Sequence, residues 1–193
     1  MPDLRDRLFT ARSYTPIPFI LAALVFSQPT AWSMLAGGLL ALAGESMRFW
    51  GVAYAGSLTR VTGSVGAPEV IMSGPFARVR NPLYVGNIML YTGVGVMSFA
   101  LWPWLPMAAL VWFVIQYSLI VSLEEEFLEK EFGEQYLEYR RSVPRFIPQI
   151  RPYVHPVQDR QRPDWEAGAR SERRTFQAIA LVFSVLVILW SVR

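Results

Sequence analysis

Long apolar runs alternate with short polar breaks along this chain. The runs cover 14–27, 31–55, 83–101, 104–123 and 175–192, and prolines or charged residues separate them. A helix rises about 1.5 Å per residue, so about 20 apolar residues cross a hydrocarbon core of about 30 Å. The first run is short for a crossing, but the break Gln28-Pro29-Thr30 joins it to the second as a tight helical hairpin. Pro16 and Pro18 suit the first turn of a helix better than its interior. The turn Trp102-Pro103-Trp104 pairs the third and fourth runs, and arginines 173, 174 and 193 bracket the last. The pattern predicts an all-α integral membrane bundle of about five transmembrane helices, forming a single membrane domain over 1–193.

Composition agrees with this picture. Of 193 residues, 53% are apolar and 17% charged, against roughly 25% charged in an average soluble domain. The absence of cysteine excludes disulfides, thiolate nucleophiles and zinc-cysteine sites. A lone histidine, His155, excludes a multi-histidine metal cage. The net charge of +3 and pI near 9.4 permit nucleic-acid binding, but the charges sit between apolar runs, which argues for membrane lipids and against nucleic acid. Arg5, Arg7 and Arg12 precede the first run; Arg60, Arg78 and Arg80 lie between the second and third; more arginines fill 140–174. The turns on the opposite side carry no charge. By the positive-inside rule, the N-terminus and both large loops face the cytoplasm, as in a bacterial inner-membrane protein. The stretch 3–12 is polar and no small-residue cleavage site follows it, so no cleavable signal peptide is expected.

Three features carry candidate chemistry. In the loop 57–82, Gly63-Ser64-Val65-Gly66 resembles a phosphate cradle but lacks the Lys-Ser/Thr and the strand–turn–helix setting of a true one. The run Arg78-Val79-Arg80-Asn81-Pro82-Leu83-Tyr84 opens the third span, with Asn81 placed as an N-cap and Pro82 in the first turn. It reads as a capped helix with an interfacial tyrosine, or as a helix N-terminus that holds an anionic group. Three glutamates, Glu124, Glu125 and Glu126, directly follow the fourth apolar run. Carboxylates at a helix C-terminus oppose its dipole. Either the helix continues past them, or one of them receives the donors of a ligand. Within the second span, Glu45 and Arg48 stand three apart, as an ion pair or with Arg48 snorkelling to the interface. His155, in a proline- and arginine-rich connector, reads as an exposed residue.

Two of these blocks resemble one family. Ser73-Gly74-Pro75-Phe76-Ala77-Arg78-Val79-Arg80-Asn81-Pro82-Leu83-Tyr84-Val85-Gly86 resembles the G-x-Y-x-x-x-R-[HN]-P-x-Y-x-G signature of the isoprenylcysteine carboxyl methyltransferase and phospholipid N-methyltransferase superfamily. The glutamate cluster, with Phe132-Gly133-Glu134-Gln135-Tyr136 and Val143-Pro144 beyond it, resembles that superfamily's C-terminal signature. The resemblance implies S-adenosylmethionine bound without a Rossmann domain, in a cytoplasmic cap built from 57–82 and 124–152. By motif, the cofactor-binding residues are Pro68, Glu69, Val70, Ile71, Phe76, Asn81, Pro82, Leu83, Tyr84 and Glu124. Glu124 would meet the ribose or amino group, and the loop backbone the adenine. Glu125 and Arg145 are the candidate catalytic residues, with Arg145 or Arg141 orienting an acidic group of the acceptor. Phe76 replaces the usual tyrosine, Asn81 replaces the histidine of the carboxyl methyltransferase branch, and Ile120 stands where the prenylcysteine enzymes have an arginine. The last change argues against a prenylcysteine substrate. Gly37, Gly38 and Gly44 suit close helix packing.

Methyl transfer fits the residues present. A sulfonium already activates the methyl, so the protein supplies positioning and water exclusion rather than acids and bases. The acceptor is then a lipophilic small molecule or lipid, methylated on a carboxylate, amine or thiol, that reaches the site from the bilayer. Two alternatives remain: an NADPH-dependent membrane sterol or enone reductase, whose C-terminal signature is similar, and a non-catalytic scaffold of the same architecture. The segment 155–174 is expected as an amphipathic or irregular connector whose arginines favour anionic headgroups.

Overall fold

A computed structural model describes residues 3–56 and 69–192. Pro68, expected as a cofactor residue, and the glycine-rich stretch Gly63-Ser64-Val65-Gly66 lie outside the described residues. Within them the chain is helical and has no strand. The α-helices are α1 (Leu4–Ala11), α2 (Ile17–Val25), α3 (Ala31–Ala55), α4 (Pro82–Ser98), α5 (Trp104–Phe132), α6 (Glu134–Ser142) and α7 (Trp165–Ser191).

The polar N-terminal stretch forms a helix, α1, that its hydropathy did not announce. Asp3 and Asp6 make a reciprocal capping box at its start. Phe9 buries against Ala109, Phe113, Tyr117 and Ile120 of α5, and Arg5 reaches Glu126 at 2.9 Å. The first apolar run yields only the nine-residue α2. At about 14 Å that is roughly half of a hydrocarbon thickness. Proline sets its start, and Gln28 ends the excursion by donating its N–H to the Ser98 carbonyl at 2.8 Å.

The helices α3 and α4 pack along a seam of small residues. A Cβ placed on Gly44 would lie 2.6 Å from the Gly86 carbonyl oxygen, and one on Gly37 would lie 2.6 Å from that of Gly93. Only glycine permits that backbone approach. Gly38, expected in the same role, faces open space. Thr30 and Ser33 cap α3 reciprocally, and the Ser33 hydroxyl also donates to the Met97 carbonyl at 3.2 Å. That bond ties the start of α3 to the end of α4.

Helix α5 runs 29 residues, through all three glutamates, and ends at Gly133. The conflict between carboxylates and dipole is thus resolved by continuation of the helix. Helix α7 begins at Trp165, ten residues before the apolar run. Asp164 caps it by accepting the Ala167 N–H at 2.8 Å. Trp165 and Phe176 flank Phe49 of α3 at ring distances of 5.5 and 5.7 Å. The end of the expected connector is therefore helix docked on α3, preceded by a 3-10 turn over Pro156–Asp159. Among the described residues two helices, α5 and α7, are long and apolar enough to cross a membrane, by length and composition.

Candidate functional site

The two signature blocks meet at one end of the bundle. Segment 77–80 lies alongside 144–153: Arg80 N–H donates to the Pro144 carbonyl at 2.9 Å, Gln149 N–H to Arg78 at 2.9 Å, and Tyr153 N–H to Ala77 at 2.8 Å. Beneath this strip Val70 and Met72 pack with Tyr136, Tyr139 and Val143. The Tyr139 phenol donates to the Phe76 carbonyl at 2.8 Å. Burial pushes both the Tyr136 and Tyr139 phenols above their ordinary titration range.

Neighbouring glutamates on α5 have different partners. Glu125 is sealed, its side chain 4% exposed, between two arginines. Arg80 meets its Oε1 through Nε at 3.0 Å and Nη2 at 2.9 Å, and Arg145 meets its Oε2. Arg80 also donates to the carbonyls of Arg140, at 2.8 Å, and Val143. The Arg145 side chain is 35% exposed, whereas that of Arg80 is 9% exposed. Arg141 pairs with Glu134 at the surface, at 3.2 Å.

Glu124 is held by a phenol instead. Tyr84 donates to its Oε1 at 2.6 Å, and the Tyr84 ring stacks on Tyr117 with centroids 4.8 Å apart. Asn81 occupies the N-cap position of α4, but its side chain makes no capping bond. Its amide turns away and donates to the Arg145 carbonyl at 3.2 Å. Pro82 has no N–H, so the free N–H groups of the first turn are left uncapped by any side chain.

The other expected cofactor residues are spread around this corner. Glu69 is exposed, Ile71 and Phe76 are half-buried, and Pro82 is buried. Val70 turns its side chain into the hydrophobic cluster beneath the cap. Leu83 packs against Gly51, where an added Cβ would stand 3.0 Å from its Cδ1. His155 accepts the Val157 N–H at 3.2 Å, shaping the 3-10 turn. Deeper in the bundle, Arg48 binds Glu45 at 3.2 Å and Glu172 of α7 at 2.8 Å, and donates to Asn87. The expected Glu45–Arg48 pair is thus part of a network spanning three helices.

Sequence reasoning passed over Arg80 as a site residue, although it is the arginine of the quoted signature. It also passed over Glu172, hidden in an arginine-rich stretch, and over Gln158 and Gln161, whose residue type carries no signal.

Residues 32–135 match the phospholipid methyltransferase family, and the chain belongs to it, within the membrane methyltransferases of the isoprenylcysteine carboxyl methyltransferase and phospholipid methyltransferase type. The match takes in α3, α4, all of α5 and the start of α6, and with them Arg80, Asn81, Tyr84, Glu124 and Glu125. The cobalt-zinc-cadmium resistance protein CzcN of Cupriavidus metallidurans is 29% identical over 147 residues, 71% of this chain and 62% of its own length. The nickel-cobalt-cadmium resistance protein NccN of Alcaligenes xylosoxydans xylosoxydans is 32% identical over 84 residues, 42% of this chain and 37% of its own length. The chain thus spans less than two thirds of either relative. No solved structure matches it.

Proposed function

We propose that the protein is an integral membrane methyltransferase that uses S-adenosylmethionine to methylate a lipophilic or membrane-embedded small acceptor. The observation that carries this reading is the unequal treatment of Glu124 and Glu125 beside an uncapped helix start. Glu125 is neutralised by Arg80 and Arg145 and ties the cap to α5. Glu124 instead accepts a hydrogen bond from the Tyr84 phenol at the corner where α4 begins.

The residues fit the group. S-adenosylmethionine carries a carboxylate, an ammonium, ribose hydroxyls and an adenine. The uncapped N–H groups of Leu83 and Tyr84 suit the carboxylate, Glu124 suits hydroxyl or ammonium donors, and the backbone around Glu69, Ile71 and Phe76 suits the adenine. When bound, the cofactor supplies a methyl group already activated on a sulfonium. The chain's task is to hold that group in line with the acceptor and exclude water, and correct alignment alone can lower a barrier by about 7–11 kcal/mol. Tyr84 orients Glu124 through its 2.6 Å bond. Glu125 acts through Arg145, fixing one side of a guanidinium whose exposed side orients an acidic group of the acceptor.

In this reading α3, α4, α5 and α7 are the principal membrane elements, and α2 extends only part of the way through the bilayer. The arginine-rich end faces the cytoplasm, and the acceptor approaches from the lipid. The test is calorimetric titration of S-adenosylmethionine, its demethylated product and NADPH into the detergent-solubilised chain, beside Glu124→Ala and, as a control, Glu126→Ala. Binding of the first two ligands, lost in Glu124→Ala and kept in Glu126→Ala, is the expected result. Binding of NADPH alone would establish the reductase reading, and binding of none by a folded chain would establish the scaffold.

A further inference from the structure

The strap between α6 and α7 carries two glutamines three residues apart. Gln158 lies in the 3-10 turn and Gln161 just beyond it, with Gln161 N–H donating to the Gln158 carbonyl at 3.2 Å. Side chains three apart in such a turn point the same way, and both of these reach segment 69–73. Gln161 Oε1 accepts from Met72 N–H at 2.9 Å and from the Ser73 hydroxyl at 3.0 Å. Its Nε2 donates to the Val70 carbonyl at 2.8 Å and to Glu69 Oε2 at 3.1 Å. A carboxamide has two N–H donors and two acceptor lone pairs, so its full capacity is used within this one segment. Gln158 Nε2 donates to the Met72 carbonyl at 2.6 Å, and its Oε1 accepts from His155 N–H at 3.0 Å.

Met72 is fully buried, yet its peptide groups have no neighbouring strand. The two glutamines take that place, one on its N–H and one on its carbonyl. A buried backbone group must find such a partner. Beyond the strap, Asp164 N–H donates to the Ala53 carbonyl at 2.8 Å, and Glu172 pairs with Arg48. The strap thus joins segment 69–73 to α3 and α7. Both glutamines lie outside the family match, which ends at residue 135.

We propose that Gln161, aided by Gln158, is a positioning residue that holds segment 69–73 in the backbone arrangement that receives the cofactor. The inference rests on the S-adenosylmethionine reading above. Glu69, Val70 and Ile71 serve that reading through this segment, and a segment fixed in advance loses less freedom on binding than a loose one.

Two measurements on the intact detergent-solubilised chain test it: amide hydrogen exchange over 69–76 without ligand, and calorimetric affinity for S-adenosylmethionine. Gln161→Leu removes the clamp. Gln161→Glu keeps both acceptor bonds but sets a carboxylate against Glu69 and the Val70 carbonyl. In both variants 69–76 exchanges faster, and affinity falls by about tenfold or more. Glu172→Gln weakens α7 docking without touching 69–73, so it melts lower with affinity unchanged. Should Gln161→Leu aggregate, Gln158→Leu is read by the same two measurements. Unchanged exchange, or faster exchange with wild-type affinity, overturns the inference. If the wild-type chain binds no S-adenosylmethionine, the cofactor reading fails with it. That outcome differs from a wild type that binds and variants that bind equally well.

Discussion

The phenol of Tyr84 donates to Glu124 Oε1 over 2.6 Å, joining the first turn of α4 to α5 about two thirds of the way along that helix. One partner comes from each signature block, and they are 40 residues apart in sequence. Tyr84→Phe keeps the ring stacked on Tyr117 and deletes only the donor. Leaving a buried acceptor without its donor costs about 1–3 kcal/mol. The variant is expected to lose up to about that much stability in denaturant unfolding and to bind S-adenosylmethionine more weakly by calorimetry. Wild-type values for both would remove Tyr84 from the site.

Arg80 and Arg145 share Glu125 unequally, and their variants should separate. Arg80→Ala leaves a buried carboxylate short of its better-sealed partner, a change that costs about 3–5 kcal/mol in buried pairs. Arg145→Ala removes a partner that is 35% exposed, so solvent compensates and the stability loss is expected to be about 1 kcal/mol or less. Its effect should fall on the acceptor's KM once an acceptor is in hand. Thermal unfolding of the two variants side by side gives the order; equal losses would mean that the exposure difference has no energetic weight.

The glycine seam makes a steric prediction. A methyl on Gly86 would stand 2.5 Å from the Gly44 carbonyl oxygen, and the backbone there cannot yield without parting α3 from α4. Gly86→Ala and Gly44→Ala are each expected to destabilise by about 1–3 kcal/mol. Gly38→Ala meets nothing within 4 Å and is expected to be neutral or stabilising, by up to about 1 kcal/mol. Melting temperatures in detergent compare the three directly.

Alkaline pH should loosen the cap. Burial raises the Tyr139 phenol above the value of 10.0 that it has in an unfolded chain. The native state therefore keeps a proton that the unfolded state releases above about pH 10, so unfolding is favoured as pH rises. This contribution is complete below the unfolded value and is lost as pH climbs toward the folded one. Unfolding midpoints followed from neutral to strongly alkaline pH should fall, and fall less steeply in Tyr139→Phe. Parallel slopes would show that the phenol does not contribute.

The sequence made the apolar helices and the two signature blocks visible, because both are written locally. Hydropathy marks α3, α4, α5 and the second half of α7, and the uninterrupted helical run from Trp104 accounts for the glutamates that opposed its dipole. Helix α1 was hidden because its stability comes from a capping box and from one buried ring, Phe9, against α5. The length of α2 was overestimated because an apolar stretch limits where a helix can run but not where prolines stop it. Asn81 was placed correctly as an N-cap, but its amide found the Arg145 carbonyl, 64 residues away. Arg80, Gln161 and Glu172 depend on contacts 45 to 124 residues apart, and no local pattern reports such distances.

The most direct test follows a labelled methyl group. Membranes from cells expressing the wild-type chain, Glu124→Ala or no protein would be incubated with methyl-tritiated S-adenosylmethionine and extracted with organic solvent. Transfer of label into lipid-soluble material by wild-type membranes, falling to the background of protein-free membranes in Glu124→Ala, is the expected result. Label at background in wild-type membranes that contain folded protein would contradict a methyltransferase acting on a lipophilic acceptor.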